Sequence, residues 1–243
     1  MHPRFPLRLC FPRVAGARHD CDEQLHLAVN AACQFFIDAL HRLDEVCLYA
    51  DAVRKLDERE LALARWGMPS SSRAVYEAAT KRADKLRAKG TAFDFQELLK
   101  REPDSGTTNV RNTASPHWKR WLEPAHRCLV PFTAFSEPGR DAAGKYRPIW
   151  FKLAVEDPEP LAFFAGIHLQ GWQGVRKIKT GWETADLFAF LTTDPSQPVK
   201  SVHPKAMPVI LTKPDEIEAW MTDPWPEAQR LQRALPDGAL VAI

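Results

Sequence analysis

The chain has 243 residues, 45% of them hydrophobic, enough to bury one substantial core or two small ones and in keeping with a globular protein. Its formal net charge of +2 is too small to argue for nucleic acid by itself, so any basic surface has to be local. The five cysteines (Cys10, Cys21, Cys33, Cys47, Cys128) are odd in number and scattered, which favours a reducing compartment over a disulfide framework, and the eight histidines make no paired pattern, so no metal is expected.

Residues 1–19 carry Arg4, Arg8, Arg13 and Arg18 with no acid before Asp20. They lack the continuous apolar stretch of a secretory signal, and Pro3, Pro6 and Pro12 oppose a presequence helix, so they read as a basic tail. Over residues 20–43 the apolar positions Leu25, Val29, Ala32, Cys33, Phe36, Ile37 and Leu40 recur every three or four residues. That spacing predicts an amphipathic helix, with Asp20 or Asp22 able to cap its first turn. An extended segment over 60–66 follows, broken by Gly67 and Pro69. Residues 73–101 form a charged insertion with eight basic and four acidic residues. Within it, Asp94-Phe95-Gln96-Glu97 has the pattern of a capping box opening a short helix. A solvated helical hairpin is the preferred reading of this insertion over a dedicated DNA-binding face.

From residue 128 the pattern changes to short strands rich in Val, Ile, Leu, Phe or Trp, over 128–132, 149–153, 161–169, 187–192 and 207–211. Gly-, Pro- and Asp-rich linkers join them at 138–144, 156–160 and 194–198, and Pro214 sits at a first-turn position for a helix through Trp220. Strands without regularly alternating helices exclude a doubly wound parallel sheet. The expected fold class is α+β, a single β-rich domain of mixed sheets with surrounding helices. The division taken is a divergent tail and helix at 1–45 and a domain at 46–243, the latter carrying a charged helical insertion at 73–106. The longest apolar runs are far too short to span a bilayer, and the expected location is the cytoplasm.

The chemistry-bearing residues lie at element edges. His203 and Lys205 occupy a proline-bounded turn directly before the apolar strand at 207–211. Asn109-Val110-Arg111-Asn112 and Glu137 add an amide, a guanidinium and a carboxylate. Taken singly, each reads as an ordinary loop residue. Together they supply what a small polar site needs. Arg65, Arg111 and Lys205 are the phosphate candidates, since guanidinium grips phosphate oxygens through two hydrogen bonds and ammonium acts as a point charge. Trp66, beside Arg65 and a turn glycine, is the one tryptophan of eight read as a base-stacking residue.

Seven segments in order carry a resemblance: Arg65-Trp66-Gly67-Met68-Pro69, Asn109-Val110-Arg111-Asn112, Arg127-Cys128-Leu129-Val130-Pro131, Phe135-Ser136-Glu137, Phe163-Phe164-Ala165-Gly166-Ile167, Leu191-Thr192-Thr193 and the run from His203 to Leu211. From about residue 58 to 241 the chain resembles the SOS response-associated peptidase (SRAP) family of abasic-site processing proteins. The resemblance implies a compact domain with a positively charged groove for single-stranded DNA containing abasic sites; no cofactor or metal is expected, and a monomer is the expected state. It also implies capture of the ring-opened sugar by an N-terminal cysteine, whose amine forms an imine that the thiol closes to a thiazolidine. On the same ground Glu137 would be the general acid/base, His203 would shuttle a proton or stabilise the oxygen leaving the sugar, and Asn109 would orient the amine. The chain departs from this pattern at its start: position 2 is His2, and Cys47, the cysteine nearest the Arg65 strand, carries no free α-amine. A displaced gene start or disturbed frame is the reading taken. A homologue that has lost covalent capture and binds DNA without chemistry is the alternative, and a thiol-dependent peptidase is the third.

Overall fold

The computed structural model describes residues 46–50, 59–140, 143–155 and 162–243. The basic tail and the amphipathic helix expected over 20–43 lie outside them. The described residues form an α+β fold of two sheets and six α-helices. The larger sheet runs β10 (Met207–Pro208), β9 (Trp182–Thr193), β8 (Phe163–Val175), β5 (Arg127–Pro131), β1 (Val46–Ala50) and β2 (Arg59–Leu63). Two short strands, β3 (Arg65–Trp66) and β4 (Asn109–Val110), also pair with β9, and β11 (Ile210–Leu211) pairs with β8. The smaller sheet is β12 (Leu240–Ala242), β7 (Tyr146–Leu153) and β6 (Phe135–Arg140).

Strand β9 explains why the larger sheet is the centre of the molecule. From Leu187 to Thr193 every residue is buried, so the segment reads as a continuous apolar run rather than an alternating one. Both faces are covered, as such a run requires. Leu187, Ala189 and Leu191 belong to a core with Trp118, Trp121 and Trp220, on the helical side. Phe188 and Phe190 join Phe135, Phe151 and Leu240 on the other side, under the small sheet. Trp220 of α5 (Pro214–Thr222) is wholly buried, which stabilises by roughly 3 kcal/mol. Its indole N–H donates to the Cys128 carbonyl at 3.0 Å, so no donor is stranded in the core.

Arg127 opens β5 and is fully buried. Its guanidinium donates to the carbonyls of Leu122, Trp220 and Asp223 at 2.8, 2.6 and 2.7 Å and lies over the Trp220 ring. Two of these acceptors are at the C-terminal end of α5, where carbonyls lack helical donors and favour a cation. Burial draws the guanidinium pKa down to about 10.

The segment read as an insertion forms a helical hairpin. Helix α1 (Ser72–Ala88) is capped by Ser71, which accepts from the Ala74 N–H at 3.2 Å. Helix α2 (Phe95–Lys100) is capped by Asp94, which accepts from the Glu97 N–H at 2.9 Å, as the sequence pattern suggests. Both ends of the hairpin are fastened to one another. Met68 and Thr107 exchange backbone hydrogen bonds of 2.9 and 2.7 Å. The buried Arg176 side chain donates to the carbonyls of Asp104 and Gly67 at 2.8 and 2.5 Å. Gly106 has φ +79°, and a Cβ there would lie 2.5 Å from the Arg176 Nη1, so this crossing requires glycine.

Some elements differ from the sequence expectation. The linker expected at 138–144 begins as strand, because β6 continues through Pro138 and Gly139 to Arg140. It is an edge strand, where proline costs no ladder donor. β8 and β9 reach 13 and 12 residues, extending past their apolar cores into an exposed hairpin with an irregularity between Leu169 and Trp172. No helix among the described residues is long and apolar enough to cross a membrane.

Candidate functional site

The end of β9 gathers segments that are far apart in sequence. Along one edge, Arg65 and Trp66 pair in parallel with Leu187 and Phe188, and Asn109 and Val110 with Phe190 and Leu191. On the other edge, Pro208 and Met207 pair with Thr192 and Thr193. Here β8 and β9 part: the Val209 N–H donates to Leu191 and its carbonyl accepts from Ala165, at 2.9 and 3.0 Å. Arg111 closes over the strand end. Its Nη2 donates to Asp194 Oδ1 at 2.5 Å and its Nη1 reaches the Lys205 carbonyl at 3.5 Å.

Glu137 and His203 meet on the side of the small sheet. Glu137 stands on β6 opposite Ile149 of β7. His203 follows α4 (Val199–Val202), its backbone N–H donating to the Val199 carbonyl at 2.8 Å. The two elements approach closely at Gly139, where a Cβ would come within 2.4 Å of Ile149 and 3.2 Å of Val202. The result is a 2.9 Å contact between His203 Nδ1 and Glu137 Oε2, the side chains being 31% and 14% exposed. At this distance the imidazole favours the charged form of the carboxyl beside it. Burial pushes the Glu137 carboxyl above the usual carboxylate range, and the opposing pull of His203 only partly offsets this. A carboxyl held back from ionising beside an imidazole is suited to donating and accepting a proton.

The remaining candidates are placed as follows. Asn109 is exposed, next to Thr108, whose carbonyl accepts from Trp66 Nε1 at 2.9 Å. Trp66 stacks on Phe190 with centroids 5.1 Å apart, so one indole face is already taken. Arg65 is ion-paired with Glu183. Lys205 is exposed and, among the described residues, has no ion-pair partner. Both arginine candidates thus have acids beside them, and a phosphate would compete with Glu183 and Asp194. A cleft of about 480 Å³ near Glu216 and Arg233 shares no residue with this site. Among the described residues no cluster of His, Cys, Asp or Glu could hold a metal ion.

Residues without a sequence signal also shape the site. Gln232 donates through Nε2 to the carbonyls of Arg111 and Thr192 at 2.9 and 3.0 Å, while its Oε1 accepts from Thr113 at 2.9 Å. This one amide ties the Arg111 segment to the end of β9. Nothing in the local sequence distinguishes Gln232 from a surface glutamine, since its partners come from two distant segments.

The fold and site define an α+β domain with a half-buried carboxyl–imidazole pair and exposed cations around the end of a central strand. The family model described as SOS response associated peptidase (SRAP) matches residues 23–242, and the chain belongs to that family. Its function is accordingly associated with the response to DNA damage. The match begins upstream of residue 46, where the sequence division placed the start of the domain. A crystal structure of a protein from Bacteroides thetaiotaomicron is similar at 20% identity with a TM-score of 0.51, covering 82% of this chain and 72% of that one, and supports the fold. No curated protein matches the chain.

Proposed function

We propose that this protein senses and processes abasic sites in single-stranded DNA, with Glu137 and His203 as its acid/base pair. The observation that carries this reading is the 2.9 Å contact between a partly buried carboxyl and an imidazole. Its support is the family membership together with the cations Arg111 and Lys205 at the same strand end. Glu137 protonates the ring oxygen of the lesion sugar as it opens to the aldehyde, and later protonates the hydroxyl that leaves the carbinolamine as water. His203 takes the proton of the anomeric hydroxyl as the ring opens and returns it to the Glu137 carboxylate before the second step. Arg111, Lys205 and Arg65 hold the flanking phosphates, the free face of Trp66 stacks on a neighbouring base, and the Asn109 amide orients the attacking amine.

Closure of an imine to a thiazolidine needs a cysteine with a free α-amine, which Cys47 and Cys128, both inside the chain, do not carry. A second reading is a lesion binder that stops at non-covalent contact or at a reversible imine. Cys47 lies on β1, with its backbone paired to Ala62 and the following Leu48 and Tyr49 paired to Leu129 and Cys128, so it belongs to the central sheet. An abasic oligonucleotide incubated with the protein, with and without borohydride, separates the readings. Crosslinking only with borohydride indicates an imine. Crosslinking without it indicates thiazolidine chemistry. No crosslink in either arm, with affinity retained, leaves the binder.

A further inference from the structure

Helix α1 is basic in an organised way. Its arginines are committed to acids: Arg73 to Glu77 at 2.7 Å, Arg87 to Asp84 at 2.5 Å, and Arg82 to the buried Glu102 through two hydrogen bonds of 2.7 and 3.1 Å. Its lysines are not. Lys81, Lys85 and the capping Lys89 are exposed, and among the described residues none has an ion-pair partner, although Lys81 lends a weak pull to Glu77. Their spacing of four residues places them in one row along the helix, away from the buried Ala79 and Ala83. The Arg73–Glu77 and Arg87–Asp84 pairs occupy the other exposed flank. The helix surface therefore carries, beside a flank of paired charges, a row of lysines that have no ion-pair partner among the described residues.

The row has a natural length scale. Four residues of helix rise about 6 Å, close to the separation of neighbouring phosphates along an extended sugar–phosphate backbone, and lysine stems absorb the residual mismatch. Its position is equally telling. α1 leaves the sheet directly after Arg65 and Trp66, the hairpin rejoins it just before Asn109, and the Met68–Thr107 bridge with Arg176 fixes both ends. We propose that the Lys81–Lys85–Lys89 face is a second phosphate-binding track, which holds the backbone of single-stranded DNA beyond the site at the end of β9. The proposal rests on the single-stranded DNA reading and adds to it a length-dependent contact. It assigns a role to the charged insertion that its composition alone did not support.

The test compares two oligonucleotides of the same base composition, a short one that covers only the Glu137–His203 site and a long one that also spans the roughly 25 Å of α1. Affinities of the full chain are measured against salt concentration. For the long oligonucleotide, the combined substitutions K81Q, K85Q and K89Q should lower the slope of log affinity against log salt by about 2, since each single-strand phosphate contact contributes about 0.7. The same variant should bind the short oligonucleotide as the wild type does. Arginine at all three positions should restore the slope, which excludes an effect through folding. An unchanged slope with the long oligonucleotide overturns the proposal, as does equal weakening with both lengths. Failure of the wild type to bind either oligonucleotide overturns the DNA reading itself, and the track with it.

Discussion

Glu137 and His203 lie 2.9 Å apart although one belongs to the edge strand of the small sheet and the other to the turn after a four-residue helix. The contact depends on the close approach of those two elements at Gly139, where no side chain fits between Ile149 and Val202. Replacing Gly139 by Val should therefore cost about 1–3 kcal/mol through overpacking, read from the midpoint of urea unfolding. It should also slow any reaction that uses the pair. A variant with unchanged stability and activity would mean that the helix is free to move away.

Glu137 also sets a sign for pH dependence. Its folded-state pKa is raised, chiefly by burial, so the native state holds this proton more tightly than the unfolded chain does. Stability from this group is fully present below the unfolded carboxylate pKa and is lost as pH rises through the raised value. Ionising this carboxyl is a burden on the fold, as is common at functional sites. Glu137→Gln should consequently raise the melting temperature at pH 7 relative to the wild type, with the advantage shrinking at acidic pH. A lower melting temperature at pH 7 would show that the His203 attraction outweighs burial.

His168 works in the opposite direction. It is buried in β8, and desolvation, aided by His126, lowers its pKa to about 4, against weaker opposing effects of Asp186 and the Ala125 backbone. The folded state binds this proton less well than the unfolded chain. Its contribution is present above pH 6.5 and is lost as pH falls toward about 4, a change on the order of 3 kcal/mol. Denaturant titrations from pH 7 to 4 should show that decline, and His168→Phe should flatten it. A decline of equal size in both proteins assigns the acid sensitivity to other groups.

The proposed phosphate contacts at the end of β9 make two opposed predictions. Arg111→Ala should weaken single-stranded DNA binding by about 1–3 kcal/mol, the loss of a charge-assisted hydrogen bond. Asp194, 92% exposed and paired with Arg111, would compete with a phosphate for the same guanidinium. Asp194→Asn should hence strengthen binding at low salt, measured by fluorescence anisotropy. Parallel weakening by both substitutions would mean that the ion pair positions Arg111 rather than competing for it.

Much of the architecture was legible in the sequence because single segments carried it. The apolar runs within β5, β8 and β9 announced the central sheet, and Asp94 with Glu97 announced the start of α2. β6 was partly hidden because Pro138 and Gly139 are turn residues anywhere except on an edge strand. β4, at two residues, is too short to have a period and exists only because β9 offers it an edge. The candidate residues were readable through family resemblance rather than through spacing. What the sequence could not disclose was their company: Phe190 under Trp66, Glu183 beside Arg65, Asp194 beside Arg111 and the bracing amide of Gln232. Each of those partners comes from a distant segment, and pairings of that kind follow from the topology of β9.

The proposed function makes Glu137 and His203 one proton-transfer unit acting on an abasic site. The most direct measurement is the rate of borohydride trapping on an abasic single-stranded oligonucleotide, compared among the wild type, Glu137→Gln, His203→Gln and the double variant. Loss of general acid–base catalysis should slow trapping by about 100-fold or more in Glu137→Gln, with DNA affinity unchanged. If the two residues act together, the double variant should be no slower than the slower single variant. Trapping at the wild-type rate in Glu137→Gln, or full additivity of the two substitutions, would contradict the account.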